Sequence, residues 1–365
     1  MRLTVVGNPG NRRVTLFRAA ARAAGWDDPT VVSWHDLLRG APVHIPRGSL
    51  VRVDSPGEDA EVDRLLRGAP TAAEHGELVG LSAWYDGLCR ALDRIRALVD
   101  EAGGQLVQDP DEIAVMFDKR ACHRRLADAG VAVPPALPGP ASYAELRASM
   151  AEAGWTQVFV KPAHGSSASG VLALRAHGRR VRATTAIERS GGKLYNSLRV
   201  RDHRDEATIA ELVDRLAPDG LHVERWFPKA TLAGRVCDLR VLVIGGRPSH
   251  VVVRTSRFPM TNLHLGGARG DLAALRAAAG ERAYAAALRT CVAAAACFPR
   301  SLHVGVDLLF SPDFTRHAVA ECNAFGDLLP GLLVDGRDPY AEQAHQLRAL
   351  AATATLAANR APVRS

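Results

Sequence analysis

Lys161 ends the apolar run Val158-Phe159-Val160 and is followed by Pro162 and a small-residue stretch, His164-Gly165-Ser166-Ser167-Ala168-Ser169-Gly170. A point charge at a strand end, beside a loop of exposed backbone N–H groups, is suited to holding phosphate oxygens. Lysine is scarce in this chain: of 46 basic side chains four are lysines, at 119, 161, 193 and 229. Lys119 and Lys161 stand where a nucleoside triphosphate would need them. A retained lysine in so arginine-rich a sequence asks for a chemical reason.

A second constellation lies near the C-terminus. Asp307 sits in Gly-Val-Asp-Leu-Leu-Phe, and Glu321 and Asn323 end the following strand as Glu-Cys-Asn. Strand side chains alternate, so Glu321 and Asn323 share a face, and an antiparallel neighbour can bring Asp307 to it. Three oxygen ligands of that kind suit a hard cation such as Mg²⁺ bound together with substrate phosphates. The plainer alternative makes Asp307 a strand-end acid and Glu321 a surface charge.

The elements that must position these residues read as mixed α/β and α+β. Leu3 to Val6 is a short strand ending at Gly7-Asn8-Pro9-Gly10, followed by helical spacing over 14–24. Segments at 30–33 and 50–53, with helices over 58–67 and 78–102, complete an N-terminal α/β domain over 1–113. The Gly7–Gly10 turn lacks the G-x-G-x-x-G fingerprint, so a tight strand-to-helix turn is favoured there over a dinucleotide site. A second unit, 114–220, carries a helix from Lys119 through Leu126 to Gly130, a linker over 136–141, a helix over 143–153, the Phe159 strand and strands at 170–174 and 180–185. Residues 186–206 are polar and arginine-rich and fit an insertion or a substrate-facing loop.

A third unit, 221–355, opens with Leu221 to Pro228. It continues with strands at 238–244 and 249–255 joined through Gly245-Gly246, a long helix over about 271–297, and the closing hairpin 303–310 and 316–322. Residues 356–365 are a tail.

The net charge of +7 admits nucleic acid, membrane phosphate or an acidic substrate as partner. The arginines are scattered through separate segments, with few aromatic residues available for stacking, so nucleic-acid binding is disfavoured. Six cysteines form no C-x-x-C pair and no metal spacing with histidine. A reduced, cytoplasmic protein fits, with no signal peptide and no apolar run of membrane-spanning length.

The order of elements from Phe117 to the Gly331 loop resembles the ATP-grasp superfamily, with the N-terminal unit in the place of its Rossmann-like pre-ATP-grasp domain. The matching pieces are Asp118-Lys119, Phe159-Val160-Lys161-Pro162 with its Gly/Ser loop, Val223 to Phe227, Asp238 to Val243, Asn262 to Gly267, Gly305-Val306-Asp307 and Glu321-Cys322-Asn323. The Asp-Leu-Arg strand and the Asn-Leu-His-x-Gly-Gly loop look most like the branch of ribosomal-protein glutamate ligases and the carrier-protein ligases of lysine biosynthesis.

The resemblance implies roles. Lys119 and Lys161 would contact ATP phosphates, under a lid made by Gly165, Ser166, Ser167 and Gly170. Glu224, Arg225, Trp226 and Phe227 would form the hinge that binds adenine largely through backbone groups, with Asp238 near the ribose and Asn262 beside the triphosphate. Asp307, Glu321 and Asn323 would hold Mg²⁺, or Mn²⁺ in its place. Arg240 and Arg254, on adjacent strands, would grip an acyl phosphate, or else be cross-strand surface charges. His264 would orient substrate or phosphate.

The implied activity is an ADP-forming carboxylate–amine ligase working on a peptide, protein or small metabolite, with a homo-oligomer left open as its state. A phosphotransferase giving a stable phosphorylated product is the other enzymatic reading. The chain departs from the family pattern at Lys229, where an acidic residue commonly follows the hinge, and at Met260, where a basic residue commonly precedes the Asn. The stretch from Pro228 to Cys237 is longer than in that branch, and Asp327 is inserted in the loop after Asn323.

Overall fold

The computed structural model describes residues 2–165, 168–325, 329 and 331–360, with backbone alone at 264 and 353–360. Its first unit runs β1 (Leu3–Gly7), α1 (Arg12–Ala23), β2 (Thr30–Ser33), α2 (Trp34–Arg39), β3 (Leu50–Val53), α3 (Ala60–Arg67), α4 (Leu81–Glu101), β4 (Gln105–Leu106) and α5 (Pro110–Phe117). The four strands form a parallel sheet in the order β2-β1-β3-β4. β1 and β3 are buried along their whole length, as the continuous apolar runs of a helix-covered parallel sheet require.

The second unit contains α6 (Lys119–Asp128), β5 (Ala136–Leu137), α7 (Tyr143–Glu152), β6 (Gln157–Pro162), β7 (Leu172–His177), β8 (Arg180–Ser190), β9 (Lys193–His203), α8 (Glu206–Leu216) and β10 (Leu221–Arg225). Its strands make a sheet in the order β5-β10-β6-β7-β8-β9, every pair antiparallel. Along β6, Val158 and Val160 enter a core with Leu146 of α7 and Leu212 of α8. The alternation turns Phe159 and Lys161 to the opposite face. Residues 186–206, unplaced by sequence, are mostly the long β8–β9 hairpin. Its alternation is broken where Ala186 alone opposes Ser197 to Val200, between the pairs Thr185↔Arg201 and Ile187↔Asn196, which hides the strand period.

The third unit comprises β11 (Thr231–Leu232), β12 (Arg235–Ile244), β13 (Arg247–Ser256), β14 (Ala268–Arg269), α9 (Leu272–Ala279), α10 (Glu281–Ala296), β15 (His303–Phe310), β16 (His317–Asn323) and α11 (Pro339–Arg360). The sheet order is β14-β13-β12-β15-β16, with β11 pairing β12. The single helix expected over 271–297 is two, because Gly280 takes φ 76° and ψ 149°, outside the α region.

Core contacts redraw the expected unit boundaries. Cys122 and Leu126 of α6 pack in the same core as Trp34, Leu88, Leu239, Val241 and Cys291, so α6 belongs with the first and third units. β10, expected to open the third unit, pairs with β6 and β5 instead. The small lobe with its own core is therefore β5 to β10, and the first and third units share one body. α11 returns to the first unit: Tyr340 and Leu347 pack with Val5 and Phe17, and Trp26 Nε1 donates to Ala344 O at 3.2 Å. Residues 356–360 continue α11, while 361–365 lie outside the described residues. Among the described residues, no helix is long and apolar enough to cross a membrane.

Candidate active site

Where the small lobe faces the main body, one cleft encloses about 850 Å³ of empty space, counting its open mouth. Lys119, Lys161, Gly165, Glu224, Phe227, Asp238, Arg240, Arg254, Asn262, Asp307, Glu321 and Asn323 all line it. Residues drawn from positions 119 to 323 of the sequence thus converge on one space.

Lys119 opens α6. Asp118 caps that helix, its Oδ1 accepting from Arg120 N at 2.8 Å and Ala121 N at 3.3 Å, which fixes the first turn. The lysine then ties to the segment after β6 at both ends: its backbone N–H donates to Ala163 O at 2.9 Å and its Nζ to Gly165 O at 2.6 Å. Burial lowers the Lys119 pKa from 10.5, with Lys161 adding to the effect and Glu321 opposing it. Lys161 Nζ lies 2.5 Å from Glu224 Oε1 across the β6–β10 pair. His222 Nε2 is 3.4 Å from the other Glu224 oxygen. Burial alone would raise the Glu224 pKa, but Lys161 and His222 overrule it and hold the carboxyl at about 2.

Gly170 closes the loop after β6 with φ +70°. A Cβ there would stand 2.6 Å from Pro162 Cγ. Gly165, Ala168 and Ser169 line the cleft beneath this loop, and Ser166 and Ser167 lie outside the described residues.

The opposite wall is one face of the third sheet. Direct register sets Asp238 beside Arg254, and Arg240 beside Asp307, which in turn sits beside Glu321. Side chains directly opposite one another share a face, so these five stand on the cleft side, with Asn323 two residues beyond Glu321. Arg254 grips Asp238 through two bonds, Nε to Oδ1 at 2.8 Å and Nη2 to Oδ2 at 2.9 Å. Its Nη2 also reaches Asp307 Oδ2 at 3.0 Å, and Arg240 pairs with Asp307 as well. Arg240 and Arg254 are therefore cleft residues and not exposed cross-strand charges.

Asp307, Glu321 and Asn323 offer two carboxylates and an amide on one face, a hard-oxygen donor set that fits Mg²⁺ bound together with phosphate. The Asn323 Nδ2 has no hydrogen-bond partner among the described residues. Among those residues there is also no cluster of three or more His, Cys, Asp or Glu that would make a metal site by itself. A cation here would need oxygens from a phosphate ligand and would exchange with the arginines on Asp307.

Two expected hinge residues do not line the cleft. Arg225 N donates to Pro135 O at 2.7 Å and Trp226 N to Gln157 O at 3.1 Å, so those backbone donors serve the fold. Arg225 and Trp226 line a separate groove, and the Trp226 ring also packs, at 4.8 Å, on Phe159 of the cleft wall. Glu224 remains on the cleft side, and Phe227 lines both the cleft and the groove.

Lys229, set apart in the sequence as a departure, lines the cleft. Its Nζ donates to Thr261 Oγ1 at 2.9 Å and lies 3.5 Å from Asp238 Oδ2, and Thr261 also bonds Asp238. Burial lowers the Lys229 pKa, with Asp238 opposing it. Three of the chain's four lysines thus line one cleft. Lysine scarcity was a signal for Lys229 too, but its loop position gave no strand or helix period to place it. Phe159, Met260 and Leu309 supply apolar walls. Met260 packs with Phe159 and Val171 across the opening, so the apolar residue at the expected basic position helps to close the cleft. The side chain of His264 and the loop residue Asp327 lie outside the described residues.

No protein-family model matches the chain, and no curated protein matches it. Solved structures do. The ATP-grasp ligase PsnB, complexed with a phosphomimetic variant of its minimal precursor, Mg and ADP, is 19% identical with a TM-score of 0.54, over 96% of this chain and 99% of that one. The D-cycloserine synthetase DcsG is 17% identical with a TM-score of 0.59, over 96% and 99%. The macrocyclase MdnC from Microcystis aeruginosa MRC, bound with its precursor peptide MdnA, is 12% identical with a TM-score of 0.55, over 96% and 100%. At such identities the likeness establishes the fold, and this chain has the ATP-grasp fold.

Proposed function

We propose that the chain is an ATP- and Mg²⁺-dependent carboxylate–amine ligase, ADP-forming, acting through an acyl phosphate on a peptide, protein or small metabolite. One observation carries this reading: Lys161 from the small lobe and Lys119 from the main body face the Asp307–Glu321–Asn323 set across a single cleft. The solved structures of like fold support it. PsnB is an ATP-grasp ligase seen with Mg and ADP, and MdnC is a macrocyclase seen with a precursor peptide. The Asp-Leu-Arg strand and Asn-Leu-His-x-Gly-Gly loop align the chain with the ribosomal-protein glutamate ligase and lysine-biosynthesis branch. Six free cysteines suit a cytoplasmic enzyme.

Lys119 and Lys161 take phosphate oxygens of ATP, exchanging Gly165 O and part of the Glu224 contact for them. Phe159, Phe227 and Leu309 form apolar walls for the base, and Asn262 lies by the triphosphate. Asp307, Glu321 and Asn323 hold Mg²⁺ or Mn²⁺. When bound, that ion neutralises phosphate charge and aligns the γ-phosphoryl group. The substrate carboxylate attacks the γ-phosphorus and ADP leaves. An amine then attacks the acyl carbon, expelling phosphate and leaving an amide.

Arg254 and Arg240, which hold Asp307 in the absence of ligand, turn their forks to the acyl phosphate. Asp238 was expected near the ribose. Its oxygens are engaged by Arg254, Lys229 and Thr261, so we assign it to positioning those two cations. The loop from Gly165 to Gly170 excludes water, which would otherwise hydrolyse the acyl phosphate.

Incubation with ATP, Mg²⁺ and a panel of carboxylates and amines should release ADP and phosphate with an amine-dependent gain in product mass. AMP and pyrophosphate would count against the mechanism. A stable phosphorylated product formed without amine would make the protein a phosphotransferase. Lys161→Ala and Asp307→Ala should each abolish ADP release while circular dichroism shows a folded chain, and unchanged turnover in both would refute the site.

A further inference from the structure

Behind the hinge, on the side away from the cleft, runs an open groove enclosing about 1580 Å³. One wall is Gly154 to Gln157 of the small lobe, the floor is Arg225 to Pro228, and the other walls are Thr315 to Ala318 and Ala132 to Pro135 of the main body. No step of the proposed chemistry uses it.

Its composition is one-sided. Arg225, Arg316 and His317 line it, and neither aspartate nor glutamate does. Arg225 and Arg316 are exposed and have no carboxylate partner among the described residues. Some surface arginines of the small lobe are paired, as Arg182 is with Asp202 and Arg189 with Glu211. Both groove arginines instead lie near aromatic rings. The Arg225 guanidinium lies 5.9 Å from the Trp155 ring centroid and that of Arg316 6.0 Å from Phe227. Arg175 lies 4.7 Å from Trp226. An exposed guanidinium beside a ring offers its planar N–H fork to a carboxylate.

We propose that this groove docks an acidic segment of a partner polypeptide, with side-chain carboxylates seated on Arg225 and Arg316 and apolar side chains between them against Trp155, Trp226 and the Pro134-Pro135 wall. The groove's volume and its exposed arginines favour a polypeptide over a small metabolite. Nucleic acid is disfavoured because single strands need open aromatic faces for base stacking, and an arginine lies near each of the rings of Trp155, Trp226 and Phe227. Because the walls come from both lobes and the floor is the hinge, a seated segment holds the lobes at one separation. The docking does not depend on nucleotide chemistry.

The test uses the full chain without nucleotide and two fluorescein-labelled dodecapeptides, (Gly-Glu-Leu-Glu)₃ and (Gly-Gln-Leu-Gln)₃, read by anisotropy. The glutamate peptide should bind at least about tenfold tighter than the glutamine peptide. Arg316→Glu, at an exposed position, should cost the glutamate peptide about tenfold or more and favour an arginine counterpart. Hydrogen exchange should show protection by the peptide at 154–157, 225–228 and 315–318. Absent binding, equal binding of the two peptides, an unaltered affinity in Arg316→Glu, or protection elsewhere would overturn the proposal. Tighter binding of a uridine dodecanucleotide at these segments would hand the groove to RNA.

Discussion

Glu224→Gln tests whether the Lys161–Glu224 contact organises the cleft. In the folded chain this carboxyl ionises at about 2 against an ordinary 4.5, because Lys161 and His222 outweigh its burial. At about 1.4 kcal/mol per pH unit, that difference corresponds to about 3 kcal/mol of stability at neutral pH. The figure agrees with the roughly 3–5 kcal/mol lost when one partner of a buried ion pair is removed. The sign follows from the lowered pKa: the contribution is complete above 4.5 and is lost as pH falls toward 2. By pH 3.5 roughly a third of it should be gone.

The assay is native-state hydrogen exchange at the amides pairing β6 with β10, where Val160 opposes Val223, corrected for intrinsic rates. It reads local opening rather than a global transition that a chain with two cores need not make in one step. Wild type should exceed Glu224→Gln by about 3 kcal/mol at pH 7 and by about 2 kcal/mol at pH 3.5. A gap below about 1 kcal/mol at pH 7, or one identical at both pH values, would refute the reasoning.

Two further outcomes follow from the same electrostatics. Burial lowers the Lys119 pKa below 10.5, and a bound triphosphate would raise it again. Binding of Mg·ATP should therefore take up protons on the alkaline side, seen as buffer-dependent heat in titration calorimetry. Lys119→Met should reduce that uptake, and an unchanged proton count would remove Lys119 from the phosphate site. Lys229→Met leaves Asp238 with its bidentate Arg254 partner and should shift stability by no more than about 1 kcal/mol. Asp238→Asn strands two buried cations and should cost about 3–5 kcal/mol. Equal melting shifts for the two variants would show that Asp238 does not hold both.

The Asp307–Glu321–Asn323 set was legible because strand alternation is a strong local rule, and the register from Gly305↔Asn323 to Asp307↔Glu321 obeys it, the bulge falling just beyond. Arg240 and Arg254 were legible as neighbours on adjacent strands, but not their contact with Asp307, since cross-strand register is a tertiary fact. Arg225 was misplaced for a related reason. Motif order locates a hinge, whereas alternation after Glu224 sends Arg225 to the far face. Lys229 left no periodic trace because it lies between strands. The β8–β9 hairpin was hidden by its bulge, and the docking of α11 on the first unit depends on Trp26, Tyr340 and Leu347 meeting from opposite ends of the chain.

The placement of α6 alters what the two lysines can do. Sequence order puts Lys119 and Lys161 in one unit, but Cys122 and Leu126 fasten α6 to the core of the main body, while Val158 and Val160 fasten β6 to the core of the small lobe. Lys119 and Lys161 therefore approach the cleft from two separately packed bodies. Without ligand they are joined through backbone, by Lys119 N to Ala163 O and Lys119 Nζ to Gly165 O. A triphosphate between them would neutralise both ammonium groups and replace the weaker carbonyl contact with a charged one. Its binding energy would then favour the arrangement in which the lobes are closed and water is excluded. A cation at Asp307 would compete with Arg240 and Arg254 for that carboxylate, so metal binding and release of the two arginine forks would be coupled.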